Sequence, residues 1–140
     1  MKECIRIFLI CPVKGIPDAT EKKIRKYVRA LENEHKKTGG LPKKVHWPLR
    51  DTPQDDPAGG FNICKTNFRA ILVAEEIHIW YDEASGGSKF DMGGVFMLIE
   101  TLRNILYLEK KIVIANENEV IDNSQKSFFK VFKRLAERGN

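Results

Sequence analysis

Residues 77–95 read IHIWYDEASGGSKFDMGGV, and the rest of the chain is organised around them. Ile77, Ile79, Trp80 and Tyr81 make a short β-type run that ends at Asp82. Ser85, Gly86, Gly87 and Ser88 supply small residues where the backbone must turn. Lys89 then opens a long apolar helical pattern. A glycine-rich turn before a helix is a ready anion site, because unpaired N–H groups point outward and the helix dipole adds to their pull. Asp91 is expected in the first turn of that helix, where its charge is favoured and it is ionised at neutral pH. A carboxylate beside an anion cradle, at the carboxyl end of a strand, points to chemistry.

Upstream, Ile5–Cys11 reads as a first strand. Cys11–Gly15 is the loop after it, since Pro12 cannot continue a ladder. Asp18 is expected to cap a helix, with Glu21 three residues on. Ile24, Tyr27, Val28 and Leu31 fall on one apolar face of that helix, which ends at Thr38–Gly40. Lys43–Trp47 is a weak second strand. Residues 48–60 form a polar loop with three prolines, and loops of this length in compact domains are often functional. Phe61–Glu75 reads as a helix burying Phe61, Cys64, Phe68 and Ile71.

Downstream, Met92, Val95, Phe96, Met97, Leu98, Ile99, Leu102, Ile105, Leu106 and Leu108 cover most of the helix that begins at Lys89. A helix apolar nearly all round is buried on more than one side. One side suits the sheet; the other, within residues 89–108, suits a second copy of the chain, so a homodimer or higher homo-oligomer is expected. Lys111–Ala115 is a further strand, residues 116–123 a loop with room for a short edge strand at Val120–Ile121. Ser124 is expected to cap a last helix with Phe128, Val131, Phe132 and Leu135 on its buried face.

Strands alternating with helices imply one α/β domain over residues 1–140: a three-layer, doubly wound, flavodoxin- or Rossmann-like parallel sheet of four to five strands. In such folds ligands bind at the carboxyl ends of the strands, where strand order reverses. Residues 11–15, 50–60 and 82–91 all fall there.

The composition, 42% hydrophobic and 31% charged over 140 residues, is that of a globular domain. No apolar run is long enough to span a membrane. The first apolar run lacks a small-residue cleavage site and reads as a strand, not a signal peptide. Cys4, Cys11 and Cys64 are odd in number and widely spaced, without zinc or disulfide patterning, which implies free thiols in a reducing, cytoplasmic setting. The net charge is +5, and residues 14–50 hold eleven Lys/Arg against four Asp/Glu. Without interleaved aromatics this reads as a solvated helix face whose field draws small anions, not as a nucleic-acid surface. No cofactor or metal is expected, since His35, His46 and His78 lack metal-ligand spacing.

Four segments together resemble the nucleoside 2-deoxyribosyltransferase family and its relatives that hydrolyse deoxynucleoside monophosphates. They are Phe8-Leu9-Ile10-Cys11-Pro12-Val13, then His46-Trp47-Pro48-Leu49-Arg50-Asp51, then Ile63–Ile71, then Asp82 with residues 85–93, SGGSKFDMG. The hydrolase branch places Ser-x-Gly three residues before an aromatic-Glu pair, and Ser85, Gly87, Phe90 and Asp91 keep that spacing. The resemblance implies cleavage of an N-glycosidic bond in a nucleoside or nucleoside monophosphate, by carboxylate attack on C1′. It makes Asp91 the nucleophile and has Asp82 orient the sugar or handle the leaving base's proton. It assigns Ser85, Gly86, Gly87 and Ser88 to phosphate or sugar hydroxyls, and has Arg50 and Asp51 close over the base. Cys11, Pro12 and Asn67 join the binding set. Two positions depart from the family. Its nucleophile is Glu where this chain has Asp91, and a base-contacting acid is replaced by Asn67. A carboxylate retracted by about a bond length must be compensated by the backbone, or the site only binds, because catalytic geometry tolerates roughly 0.5 Å. Some members also complete the site from a partner subunit, for which Asn116 and Asn118 are the candidates.

From the residues alone, Asp91 fits a helix-start acid better than a nucleophile, and Ser85–Ser88 fits a plain capping loop as well as a phosphate cradle. Cys11 fits a small buried hydrophobe, and Trp47 and Trp80 fit core packing.

Overall fold

In β1 (Ile5–Ile10), Ile7 and Leu9 pack on one side with Ile24, Val28, Val45 and Trp80. Phe8 and Ile10 pack on the other with Ile77, Ile79, Met92, Val95, Ile112 and Phe132. A strand apolar on both faces needs a sheet covered on both faces. The computed structural model, which describes residues 2–139, has that architecture. Four parallel strands are ordered β2-β1-β3-β4, with β2 at Lys43–His46, β3 at Glu76–Ile79 and β4 at Lys111–Ile114. Phe8 pairs with His46 on one flank and with Ile77 on the other. Helix α1 (Asp18–Asn33) covers the Ile7 face, followed by the short α2 (His35–Thr38). After β2 comes α3 (Pro48–Asp51). Helices α4 (Phe61–Val73), α5 (Gly86–Thr101) and α6 (Phe128–Arg138) cover the Phe8 face. The chain runs outward from β1 to β2 and then returns to β3 on the other side of β1. That reversal opens the crevice between the ends of β1 and β3.

Several helix boundaries and faces differ from the sequence-based expectation. Asp18 is the first residue of α1, not its cap; the Pro17 carbonyl accepts from the Glu21 N–H at 3.0 Å instead. Gly39 ends α2 with φ 70°, a left-handed exit that glycine takes without a Cβ clash. In α4 the inward stripe is Asn67 and Ile71, while Phe61 is 64% and Phe68 50% exposed. Those two lie about 100° or more around the axis from Asn67, too far to meet the sheet. The cap of α6 is Ser127, whose hydroxyl accepts from the Lys130 N–H at 3.3 Å, rather than Ser124. Its buried stripe is Phe129, Phe132 and Leu135, leaving Phe128 and Val131 outside. Val120 and Ile121 form no strand; a 3₁₀ turn at Glu117–Glu119 precedes them and Ile121 is exposed. Helix α5 passes into a π-helical turn at Leu102–Leu106 and stops at Tyr107, φ 55°. Met92, Val95 and Ile99 are buried, whereas Phe90, Met97 and residues 105–108 face outward. Among the described residues no helix is long and apolar enough to cross a membrane.

Asn116 ties the loop after β4 to the end of β3. Its Oδ1 accepts from the Tyr81 N–H at 2.7 Å and its Nδ2 donates to the Tyr81 carbonyl at 2.9 Å, both buried. Asn116→Ala leaves two buried backbone groups unpaired, so it is expected to cost about 2–3 kcal/mol in urea unfolding; a loss below about 0.5 kcal/mol would remove the residue from that role.

Candidate functional site

Ser85 decides where α5 starts. Its hydroxyl accepts from the Ser88 N–H at 3.2 Å and donates to the Ser88 hydroxyl at 2.9 Å. The chain turn lies just before it, where the Asp82 carbonyl accepts from Ser85 N–H at 3.1 Å and Asp82 Oδ1 from Ala84 N–H at 2.9 Å. The helix therefore opens at Gly86, three residues before Lys89, and residues 85–88 are a capped helix start, not a separate turn. A Cβ built on Gly86 or Gly87 would meet nothing within 4 Å, so this end of α5 faces open space.

The early start moves Asp91 out of the first turn, which holds no acidic residue. The helix dipole fades beyond that turn, so the expected dipole stabilisation of Asp91 does not apply. Burial governs it instead, pushing its pKa from 3.8 up to about 6, with a hydrogen bond from Asn67 opposing the rise. Asn67 is 6% exposed and Thr52 3%. The Thr52 hydroxyl donates to Asn67 Oδ1 at 2.8 Å, and His46 Nε2 lies 2.8 Å from the same hydroxyl. The His46 ring stacks on Phe8 with centroids 5.4 Å apart. On another side Asp91 adds to a rise of the Cys11 thiol to about 12; burial is the main cause and the Trp47 indole works against it. Trp47 Nε1 is buried without a hydrogen-bond partner among the described residues, so the sulfur beside it is a weak acceptor at most. A thiol held that high stays protonated and is no nucleophile.

A cavity of about 640 Å³ opens at the reversal of strand order, lined by Pro12, Trp80, Tyr81, Asp82, Asn116, Ser127, Phe129 and neighbours. Asp91 and Ser85–Ser88 are not among its described lining residues. The structure thus gathers Asp91, Asn67 and Cys11 in one cluster and Asp82 and Pro12 in another, joined through the adjacent residues Cys11 and Pro12.

Arg50 and Asp51 belong to neither cluster. Arg50 donates to Asp51, to Glu32 and, at 2.7 Å, to the Val45 carbonyl. Asp51 Oδ2 accepts from the Trp47 N–H at 2.8 Å. Burial pushes Asp51 up, but the Arg50 and Trp47 bonds outweigh it and hold the carboxyl low. The pair braces the corner between β2 and α3. Asn116 is engaged with its own Tyr81, while Asn118 lies exposed in the 3₁₀ turn. His78 is a packed histidine between Tyr27 and Glu76, at 2.6 and 2.8 Å. Reading the sequence missed Thr52 and the His46 side chain as neighbours of the site. They stand six residues apart across Pro48, and no pattern in the sequence signals their contact.

No protein-family model matches the chain, and no curated protein matches its sequence.

A raised carboxyl pKa has a stability consequence. Between about pH 4 and 6 folded Asp91 keeps a proton that the unfolded chain has released, so stability is lost as pH rises through that window. Asp91→Asn is therefore expected to raise stability at pH 8 by on the order of 1–3 kcal/mol and to give no gain near pH 3.5. Urea midpoints at the two pH values measure this, and equal midpoints at pH 8 would contradict burial of the charge.

Proposed function

We propose that this protein binds a nucleoside or nucleoside monophosphate and breaks or transfers its N-glycosidic bond, with Asp91 as nucleophile. The carrying observation is a desolvated carboxyl, its pKa near 6, bonded to a buried amide beside the end of β1. Such a group is ionised at neutral pH yet poorly solvated, which suits attack on an electron-poor carbon. The resemblance of residues 82–93 to the nucleoside 2-deoxyribosyltransferase family supports the same assignment.

In the proposed step an Asp91 oxygen bonds to C1′ as the bond from C1′ to the base nitrogen breaks. The electron pair leaves with the base, which takes a proton from water that Asp82 is placed to orient. Water, or a second base, then displaces Asp91 from C1′ with return of a proton. The cavity beside Asp82 is large enough for a nucleoside. Gly86 and Gly87, at the open start of α5, suit a 5′-phosphate or sugar hydroxyls, with the Ser85–Ser88 pair beside them. The basic residues of α1 add a field that draws anions. The free cysteines fit a reducing, cytoplasmic setting.

Incubation with a panel of deoxynucleosides and their 5′-monophosphates, followed by chromatography for free base, tests this. Base release is expected, falling as pH drops through about 6 because the nucleophile becomes protonated. Asp91→Asn is expected to abolish it; an active variant would discard the assignment. One observation favours a second reading, a non-catalytic nucleotide-binding or sensing module: Asp91 lies outside the described cavity lining. Ligand-induced thermal stabilisation without base release would select that reading.

We also propose self-association through residues 89–108. Phe90, Met97 and residues 105–108 form an outward apolar strip, Met97 being 66% and Ile105 68% exposed. A patch of this kind marks a contact surface. The wild-type chain is expected to run as a dimer or larger in light scattering. Met97→Glu with Ile105→Glu is expected to give monomer, and a monomeric wild type would end the proposal.

A further inference from the structure

The polar groups beside Asp91 have a direction. A threonine hydroxyl carries one proton. Thr52 gives it to Asn67 Oδ1, an acceptor that cannot donate, at 2.8 Å. Towards His46 the same hydroxyl can therefore only accept, so His46 Nε2, 2.8 Å away, must carry the hydrogen. With the Asn67 carbonyl occupied by Thr52, its NH2 end is what meets Asp91. Hydrogen bonds then run one way, His46 Nε2–H to Thr52 and Thr52 O–H to Asn67, which leaves the Asn67 NH2 group to favour the ionised carboxylate of Asp91. The chain begins on a ring held by stacking on Phe8 and ends on α5, crossing α4. Its two middle members, Thr52 and Asn67, are almost fully buried, so water does not compete for their bonds.

We propose that His46, Thr52 and Asn67 form a one-way hydrogen-bond relay that holds the Asp91 carboxylate in one orientation, making Thr52 and Asn67 positioning residues for Asp91. The run from His46 through Thr52 to Asn67 stands on the contacts alone; its catalytic consequence rests on the proposed glycosidic chemistry. An acid at position 67 would invert the end of the relay, because two carboxylates would face each other in a buried setting. The charged and titratable groups facing the relay are few. Cys11 faces Asp91 from the end of β1, and Asp51 and Arg50 face His46 from α3.

The unmodified protein gives the first test. Nitrogen-15 NMR of His46 at neutral pH is expected to show the tautomer protonated at Nε2; a hydrogen on Nδ1 alone would overturn the relay. The second test follows the Asp91 carboxyl by carbon-13 NMR. Thr52→Val and Asn67→Asp are each expected to raise its midpoint by about 0.5 pH unit or more, roughly a threefold change in the ionised fraction ratio, with Asn67→Asp the larger. Thr52→Ser, which keeps the hydroxyl, is expected to restore the wild-type midpoint. An unmoved midpoint in folded Thr52→Val would overturn the proposal. Neither readout needs turnover, so a protein that releases no base but shows both results would retain the relay and lose only the glycosidic reading. Where base is released, the acid limb of kcat in Thr52→Val is expected to move with the midpoint while KM stays within about twofold, separating positioning from substrate binding.

Discussion

Two-sided burial of β1 is the constraint from which the rest follows. Ile7 and Leu9 on one face and Phe8 and Ile10 on the other leave no side for water. Helices must then lie above and below, and right-handed crossovers bring every strand in parallel. All four strand ends consequently arrive at one edge, and Cys11, Trp47, Tyr81 and Asn116 follow them there. The two tryptophans at that edge, Trp47 and Trp80, serve the α1-side core, and Arg25 sits over the Trp47 ring at 5.1 Å.

Asp91 shows how the same packing shapes chemistry. A carboxyl placed one turn earlier would have met exposed amides and a favourable dipole. At its actual position it meets a buried thiol and a buried amide, and desolvation outweighs the one hydrogen bond it receives. The fold thereby holds a charge at some cost to stability, a pattern more common where a group reacts or binds than where it only supports structure. Cys11 is driven the same way by the same burial, but there the result is an inert thiol, because raising a thiol's pKa removes the reactive form.

The outward apolar residues of α4 and α5 reflect a different balance. Helix α5 is apolar nearly all round, yet the sheet can cover only the stripe through Met92, Val95 and Ile99. Phe61, Phe68, Phe90 and Met97 are what remains after that stripe is satisfied. Among the described residues no further element lies over them.

Local pattern was enough to read the alternation of strands and helices, the carboxyl-edge location of residues 82–91, and the pairing of Ile24 with Val28 on the inner face of α1, because hydropathy period and glycine or proline placement act within a few residues. Helix rotation and helix starts were not legible. The Asn67–Ile71 stripe of α4 faces inward because of what waits there, Thr52 and Asp91, and α5 begins at Gly86 because two serine hydroxyls find each other. Whether Asp91 is stabilised or strained, and which way the amide of Asn67 points, depends on groups from β1, β2 and α4 that are distant along the chain. Desolvation and hydrogen-bond direction are properties of the assembled surroundings, so they came into being with the packing and not with the order of residues.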